Sequence, residues 1–257
     1  MHARKRFGQH FLHDRNVIGR IIAAIAPMPG QHFVEIGPGH GALTESLAQS
    51  CASIDAIEID RDLAGLLCSR FEGAGHVHIH QGDALQFDLK SIPAAGRSRL
   101  RVVGNLPYNI STPLLFHLLG EREAIVDMHF MLQREVIERM TAPPGNRRYG
   151  RLTVMLAPYA NIHRLFDIGP GAFTPAPKVW SSVVRIDVLE KPRFAVDQRY
   201  ARLVTAAFAM RRKTLRNSLR ELLDAAQISA CGIDPGARAE SLAPQQFATL
   251  AQCLQAS

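Results

Sequence analysis

The stretch His32-Phe33-Val34-Glu35-Ile36-Gly37-Pro38-Gly39-His40-Gly41-Ala42 constrains the fold more than any other. An apolar strand runs into three glycines at alternate positions, and residues 42–49 then read as a helix. Glycines there let the backbone turn tightly and approach a ligand without a Cβ in the way. A second apolar strand, Ala52 to Asp60, follows directly and ends in acidic residues. Strand, glycine turn, helix and strand make a βαβ unit, so the chain predicts an α/β fold around a parallel sheet. Dinucleotide-binding enzymes share this outline, but their spacing is Gly-x-Gly-x-x-Gly. Here the third glycine comes one residue early, and no placed His–Asp pair for hydride transfer follows. The spacing suits a nucleoside with an amino-acid tail better than a pyrophosphate. Gly37 and Gly39 are therefore cofactor candidates, with Glu58 placed to accept both hydroxyls of a ribose. Asp60 is expected to cap the helix Arg61 to Phe71.

A third strand, Val77 to Gln81, ends in Gly82-Asp83-Ala84. Asp83 at that carboxyl edge is expected to accept from an adenine amino group, beside Ala84. His76, His78 and His80 alternate on the strand, but no Cys, Asp or Glu completes a ligand set. They read as solvated strand residues, and no metal is expected.

A fourth strand ends in Val103-Gly104-Asn105-Leu106-Pro107-Tyr108. Pro107 cannot donate to a ladder and holds the preceding residue extended, so the strand stops there. An amide side chain and a backbone carbonyl are left at the edge where open α/β sheets bind ligands. Asn105 Oδ1 and the carbonyl of Leu106 or Pro107 are suited to accept the two hydrogens of an exocyclic amino group. Tyr108 is placed to stack on the ring that carries it. Ser111-Thr112-Pro113 then predicts a hydroxyl N-cap opening the helix Leu114 to Arg122. Ile125 to Gln133 reads as the fifth strand and Arg134 to Met140 as a helix. Asn161 to Ile168 and Ser182 to Leu189 read as the last two strands. Between them, Phe173 in Ala172-Phe173-Thr174-Pro175-Ala176-Pro177 is expected to offer a second stacking surface.

The flanks carry the charge. Phe7-Gly8-Gln9-His10-Phe11-Leu12 follows a basic start and reads as a segment folding back over a ligand, before a helix from Asp14 to Ala26. Pro143 to Arg151 is a basic loop with an embedded tyrosine; Arg147 and Arg148 are candidates for phosphate contact. Lys191-Pro192 marks a boundary, giving a catalytic domain over 1–190, with 1–13 as its closing segment, and a helical basic domain over 191–257. Helices are expected over Gln198 to Met210, Thr214 to Ala225 and Pro244 to Leu254. Arg211, Arg212, Lys213 and Arg216, with Arg199, Arg202 and Arg220, form an expected RNA-facing surface. The net charge of +7 over 257 residues agrees with a polyanionic partner. The four cysteines show no metal-ligand spacing and read as reduced thiols of a cytoplasmic protein. No stretch is long and apolar enough for a membrane span, and no signal sequence is recognised.

Five motifs in fixed order resemble one family: Phe7-Gly8-Gln9-His10-Phe11-Leu12, Val34-Glu35-Ile36-Gly37-Pro38-Gly39, Gly104-Asn105-Leu106-Pro107-Tyr108-Asn109-Ile110-Ser111, Ala172-Phe173-Thr174-Pro175 and Arg211-Arg212-Lys213-Thr214. The family is the rRNA adenine N6,N6-dimethyltransferases, and the resemblance covers nearly the whole chain. It is closest in kind to the bacterial small-subunit enzymes whose loss gives kasugamycin resistance. The resemblance implies a class I S-adenosylmethionine-dependent methyltransferase fold, a seven-stranded sheet with the last strand antiparallel, and a small helical domain. It implies S-adenosylmethionine as cofactor, S-adenosylhomocysteine as product, and 16S rRNA in the small subunit or its precursor as substrate, with two adjacent adenosines of the terminal hairpin loop dimethylated by a monomer. By motif, His10 and Leu12 close over the methionine end, Gly37 borders it, Glu58 takes the ribose and Asp83 the adenine region, while Asn105 touches cofactor and substrate. His10 stands where many members have Asn and retains a donor. An assembly-checkpoint role, 23S rRNA methylation of the macrolide-resistance type and DNA adenine methylation are the alternatives; the Pro-Tyr-Asn-Ile-Ser and Arg-Arg-Lys-Thr runs favour the small-subunit enzyme.

Overall fold

The computed structural model describes residues 9–92, 98–107 and 110–254. Among the described residues nine strands run in chain order: β1 (Phe11–Leu12), β2 (His32–Ile36), β3 (Ser53–Glu58), β4 (Val77–Gln81), β5 (Leu100–Asn105), β6 (Ile125–Gln133), β7 (Ala160–Ile168), β8 (Phe173–Thr174) and β9 (Ser181–Val188). Helices α1 (Arg15–Ile25), α2 (Ala42–Ala48), α3 (Arg61–Arg70), α4 (Ser111–Gly120) and α5 (Arg134–Met140) connect the earlier strands. Later come α6 (Arg151–Leu156), α7 (Gln198–Ala209), α8 (Leu215–Ser218), α9 (Ala225–Ala230) and α10 (Pro244–Gln252).

Two compact units result. The first runs to Ile137 and resumes over Ile162–Val188; the second takes Glu138–Asn161 and the chain from Leu189 on. The sequence boundary near Lys191 lies beside the last crossing, but the inserted segment Glu138–Asn161, expected in the catalytic domain, falls in the second unit. It belongs with the C-terminal helices because its apolar residues are buried among theirs. Tyr149 and Val154 share a cluster with Tyr200, Leu203 and Phe247. Tyr149 Oη donates to the Leu242 carbonyl at 2.7 Å and Tyr200 Oη to the Val154 carbonyl at 2.8 Å. The tyrosine embedded in the basic loop is thus an anchor of this core.

In the first unit the sheet order is β4-β3-β2-β5-β6-β9-β7. β2 pairs in parallel with β3 and β5, β3 with β4, and β5 with β6, whereas β9 runs antiparallel to β6. This is the expected class I methyltransferase arrangement. Strands buried on both faces need near-continuous apolar runs, and Phe33, Val34, Ile54, Val102 and Val103 are fully buried. Two caps read from sequence are in place: Asp14 Oδ1 accepts from the Asn16 and Val17 amides at 2.9 and 3.1 Å, and Asp60 Oδ1 from the Asp62 amide at 3.0 Å. The cap of α4 is different. Ile110 holds the cap position with no side-chain bond, and Ser111 is already helical. The Ile110 amide donates to the Pro107 carbonyl at 3.2 Å, so a backbone turn opens this helix instead of a hydroxyl.

Two further expectations change. The helix expected over Thr214 to Ala225 is split: α8 ends at Ser218, and α9 starts afresh at a reciprocal cap. Asp224 Oδ1 accepts from the Gln227 amide at 2.8 Å, and Gln227 Oε1 accepts from the Asp224 amide at 2.9 Å. Cys231 and Cys253 are brought side by side by the ends of α9 and α10, a proximity that sequence separation concealed, while Cys51 and Cys68 stand apart from them. His76 and His80 are not simply solvated, since His76 Nε2 bonds the Ala48 carbonyl at 2.9 Å and His80 Nε2 meets Asp55 Oδ1 at 2.7 Å. Among the described residues no helix is long and apolar enough to cross a membrane.

Candidate active site

A cavity opens at the carboxyl ends of β2, β3, β4 and β5, the edge a parallel sheet offers to ligands. Gly37, Gly39, Glu58, Asp83, Ala84, Asn105, Leu106 and Pro107 line it, together with His10 and Leu12. Every cofactor candidate named from sequence is therefore brought to one concavity. Tyr108 lies outside the described residues.

The glycine turn has a specific reason to lack a side chain. Gly39 adopts φ +58°, and a Cβ there would fall 2.9 Å from Phe11 Cδ1. The Phe11 ring lies against the turn and contacts the His40 ring at a centroid distance of 4.3 Å. Residues 9–13 of the N-terminal segment lie over the turn and are fixed there by a small antiparallel ladder, while Phe7 and Gly8 lie outside the described residues. Phe11 pairs with Thr174 and Leu12 with Phe173, and the His13 amide donates to the Ala172 carbonyl at 3.0 Å. His10 Nδ1 donates to the Pro175 carbonyl at 2.7 Å, so this histidine closes the segment onto the β8 loop.

Glu58 is buried at the end of β3, where Oε2 accepts from the Gly39 amide at 3.1 Å and Oε1 from the Asp60 amide at 2.9 Å. Burial raises its pKa, opposed by these backbone donors. Asp83 Oδ1 accepts from the Leu85 amide at 2.9 Å, which fixes its carboxylate at the cavity wall. Asn105 Nδ2 donates to the His10 carbonyl at 2.7 Å. Immediately before it, Gly104 pairs with Ile36 across β2 and β5 so closely that a Cβ would lie 2.5 Å from the Ile36 carbonyl oxygen.

Phe173 is a correction. Its side chain is 3% exposed and packs among Leu12, Val103, Met131 and Val183, so it anchors the core and is not a stacking surface on the cavity. The pairing of β8 with β1 turns the ring inward. Among the lining residues without a role assigned from sequence, Glu35 is the charged one inside the central strand. Glu35 is buried, accepts from Thr44 Oγ1 at 2.6 Å, and has its pKa pushed up from 4.5 to about 7, chiefly by desolvation. A carboxyl inside an otherwise apolar central strand was the available signal.

In the second unit Arg147, Arg148, Arg211, Arg212, Lys213 and Arg216 are all exposed. Arg148 pairs with Glu138 at 2.9 Å, and Arg211 with Glu240 at 3.4 Å while also donating to the Arg147 carbonyl. Arg211 therefore ties the loop to the helices as well as adding charge.

The family model for ribosomal RNA adenine dimethylase matches residues 1–256. A protein of Methylococcus capsulatus called ribosomal RNA small subunit methyltransferase A is 53% identical over 98% of this chain and 97% of its own length. One of the same name from Pseudomonas aeruginosa is 52% identical over 98% and 94%. Among solved structures, a dimethyladenosine transferase from Plasmodium falciparum superposes with a TM-score of 0.81 at 23% identity, covering 94% of this chain and 96% of that one. A 23S rRNA methyltransferase gives 0.74 at 27% identity, covering 95% and 99%. Motif order, the sheet with its antiparallel β9 and the full-length matches agree, and the chain belongs to the ribosomal RNA adenine dimethylase family.

Proposed function

We propose that this chain transfers methyl groups from S-adenosylmethionine to two adjacent adenosines in the 3′-terminal hairpin loop of 16S rRNA, giving N6,N6-dimethyladenosine during small-subunit biogenesis. The observation that carries this reading is the amide of Asn105, whose Nδ2 is committed to the His10 carbonyl. That bond leaves Oδ1 as the end of the amide suited to accept from an incoming amino group.

The residues present fit the cofactor. Glu58, with its carboxylate held between two backbone amides, suits ribose hydroxyls, and Asp83 suits an exocyclic amine. The turn at Gly39 has no room for a side chain, because the Phe11 ring lies against it, and both residues line the cavity. His10 and Leu12 would cover the methionine end. S-adenosylmethionine, when bound, supplies an electrophilic methyl group.

An adenine amino nitrogen is a poor nucleophile because its lone pair is delocalised into the ring. Asn105 Oδ1 and one backbone carbonyl accept its two hydrogens, pulling the nitrogen towards sp³ and localising the pair. The Pro107 carbonyl is engaged by the Ile110 amide, which favours the Leu106 carbonyl as the second acceptor. The Leu106 amide donates to the Met131 carbonyl at 3.2 Å and steadies this turn. The base must leave its stack to reach the cavity, and Tyr108 would then stack on it. Orientation supplies most of the rate; no strong base is needed, because the alkylated amine is acidic enough to lose its proton to water. Arg212, Lys213 and Arg216 of the second unit would contact phosphates.

The test is methyl transfer from labelled S-adenosylmethionine to small ribosomal subunits lacking the modification, followed by digestion to nucleosides. Dimethyladenosine from the terminal hairpin supports the reading. Cofactor binding and subunit retention without transfer would replace it with an assembly-factor role.

A further inference from the structure

We infer that Trp180 is a stacking platform for an unpaired base next to the reacting adenosine, an RNA subsite at the rim of the catalytic cavity. The inference rests on the methyltransferase reading and extends it to substrate recognition. Trp180 is the single tryptophan of the chain and is 49% exposed, beside Val179 at 44%. A soluble chain normally buries most of an indole, so a half-exposed one on a fixed backbone marks a contact surface. Its backbone is fixed, because the Arg134 amide donates to the Trp180 carbonyl at 3.0 Å. Gly169 lies at the edge of the ring, where a Cβ would sit 3.8 Å from the indole.

Position links it to the chemistry. Ser181, the next residue, pairs with Gln133 at the carboxyl end of β6, two residues beyond the cavity-lining Met131. That spacing is about 7 Å along a strand. In the other direction the same loop reaches Pro175, whose carbonyl holds His10. The loop therefore runs from the cavity rim to the indole within the first unit.

Charge selects the occupant. The Arg134 guanidinium lies over the indole, 6.0 Å from its centroid, and Lys178 is exposed two residues earlier. The nearby carboxylate of Asp167 is held by Arg164 at 2.5 Å and accepts from Ser182. An exposed indole beside cations matches the way single-stranded nucleic acid is bound, with bases on aromatic faces and phosphates near Arg or Lys. An extruded adenosine also leaves its neighbour without a stacking partner, and Trp180 would supply one.

Because Trp180 is the only indole, fluorescence reports on it alone, and protein-free 16S rRNA adds none. Saturating RNA is expected to quench the emission. Trp180→Ala is expected to raise KM for RNA about tenfold, with Trp180→Phe restoring most of the loss and Trp180→Leu little of it. Calorimetric affinity for S-adenosylmethionine and the melting temperature serve as controls for folding. Emission unchanged at saturating RNA, or Trp180→Ala with an unchanged KM, overturns the inference. So does a defect seen on assembled subunits but absent on protein-free RNA, which would make the surface a contact for a ribosomal protein. Quenching by RNA without any methyl transfer by the wild-type chain would retain the RNA surface and remove the methyltransferase reading.

Discussion

The Asn105 amide donates to the carbonyl of His10 at 2.7 Å across 95 positions of sequence. One hydrogen bond thus couples the residue that would polarise the substrate to the segment that would close over the cofactor. His10 is tied in turn to the Pro175 carbonyl, so the strand-end amide, the N-terminal strap and the β8 loop form one chain of contacts.

Replacing Asn105 should therefore damage two functions together. Asn105→Ala is expected to slow single-turnover methyl transfer by about a hundredfold or more, the scale seen when one positioned polar group is removed from an active site. Asn105→Asp keeps an acceptor but presents a carboxylate to the His10 carbonyl, so it is expected to weaken S-adenosylmethionine binding further than the alanine variant does. Rapid-quench assays and calorimetry measure the two effects. Alanine and aspartate variants with wild-type cofactor affinity would show that the His10 contact has no role in closure.

Gly104 is required for space. With a Cβ projected 2.5 Å from the Ile36 carbonyl oxygen, Gly104→Ala must force β2 and β5 apart. The expected cost is about 3 kcal/mol or more, at the upper end for overpacking because the obstacle is backbone. Denaturant unfolding measures it, and a loss below about 1 kcal/mol would mean that the two strands part easily.

Two buried groups set opposing pH dependences of stability. Glu35 has a folded pKa of about 7 against an ordinary 4.5, so the folded state holds a proton that the unfolded chain has released. Its contribution falls as pH rises from 4.5 to 7. His129 is desolvated, with a folded pKa of about 4 against 6.5, so the unfolded chain binds the proton first. Its contribution is complete above pH 6.5 and is lost as pH falls towards 4. Glu35→Gln is expected to leave the rise from His129 unopposed between pH 4.5 and 6.5. At pH 8 it should stabilise the cofactor-free chain by on the order of 3 kcal/mol. Melting curves across this range test both, and an unchanged pH profile in the glutamine variant would refute the assignment to Glu35.

The basic face should be visible in salt dependence. Removing Arg212, Lys213 and Arg216 together deletes up to three phosphate contacts, and the slope of log affinity against log salt is expected to become shallower by about two. Arg211→Ala should behave differently and lower the melting temperature, since Arg211 pairs with Glu240 and donates to the Arg147 carbonyl. Titrations of RNA at several salt concentrations distinguish the two kinds of arginine. An unaltered slope in the triple variant would place the RNA surface elsewhere.

Arg101 and Asp127 offer a test of a pair that sequence did not reveal. Arg101 Nε and Nη2 each donate to Asp127 at 2.9 Å, and the guanidinium also reaches Gln31 and the Ile25 carbonyl. Arg101→Met alone leaves a buried carboxylate unpaired and should cost about 3–5 kcal/mol, while adding Asp127→Leu should recover much of it. Additive losses in that cycle would show that the two side chains do not stabilise each other.

Local patterns carried the fold class, the glycine turn and the caps at Asp14 and Asp60, because each depends on residues adjacent in sequence. The cavity wall was legible for a related reason: Gly39, Glu58, Asp83 and Asn105 each stand at or just beyond a strand's carboxyl end, and parallel pairing aligns those ends. Tertiary packing decided the rest. The inward turn of Phe173 depends on β8 pairing with β1, over a hundred residues away in the chain. The placement of Glu138–Asn161 follows from Tyr149 and Val154 finding their burial among helices that come much later. Arg101 lies in an otherwise apolar strand, and its burial depends on β6 setting Asp127 beside it. Short-range geometry is written in the order of residues, whereas the burial of a ring or a charge depends on which distant partner arrives to cover it.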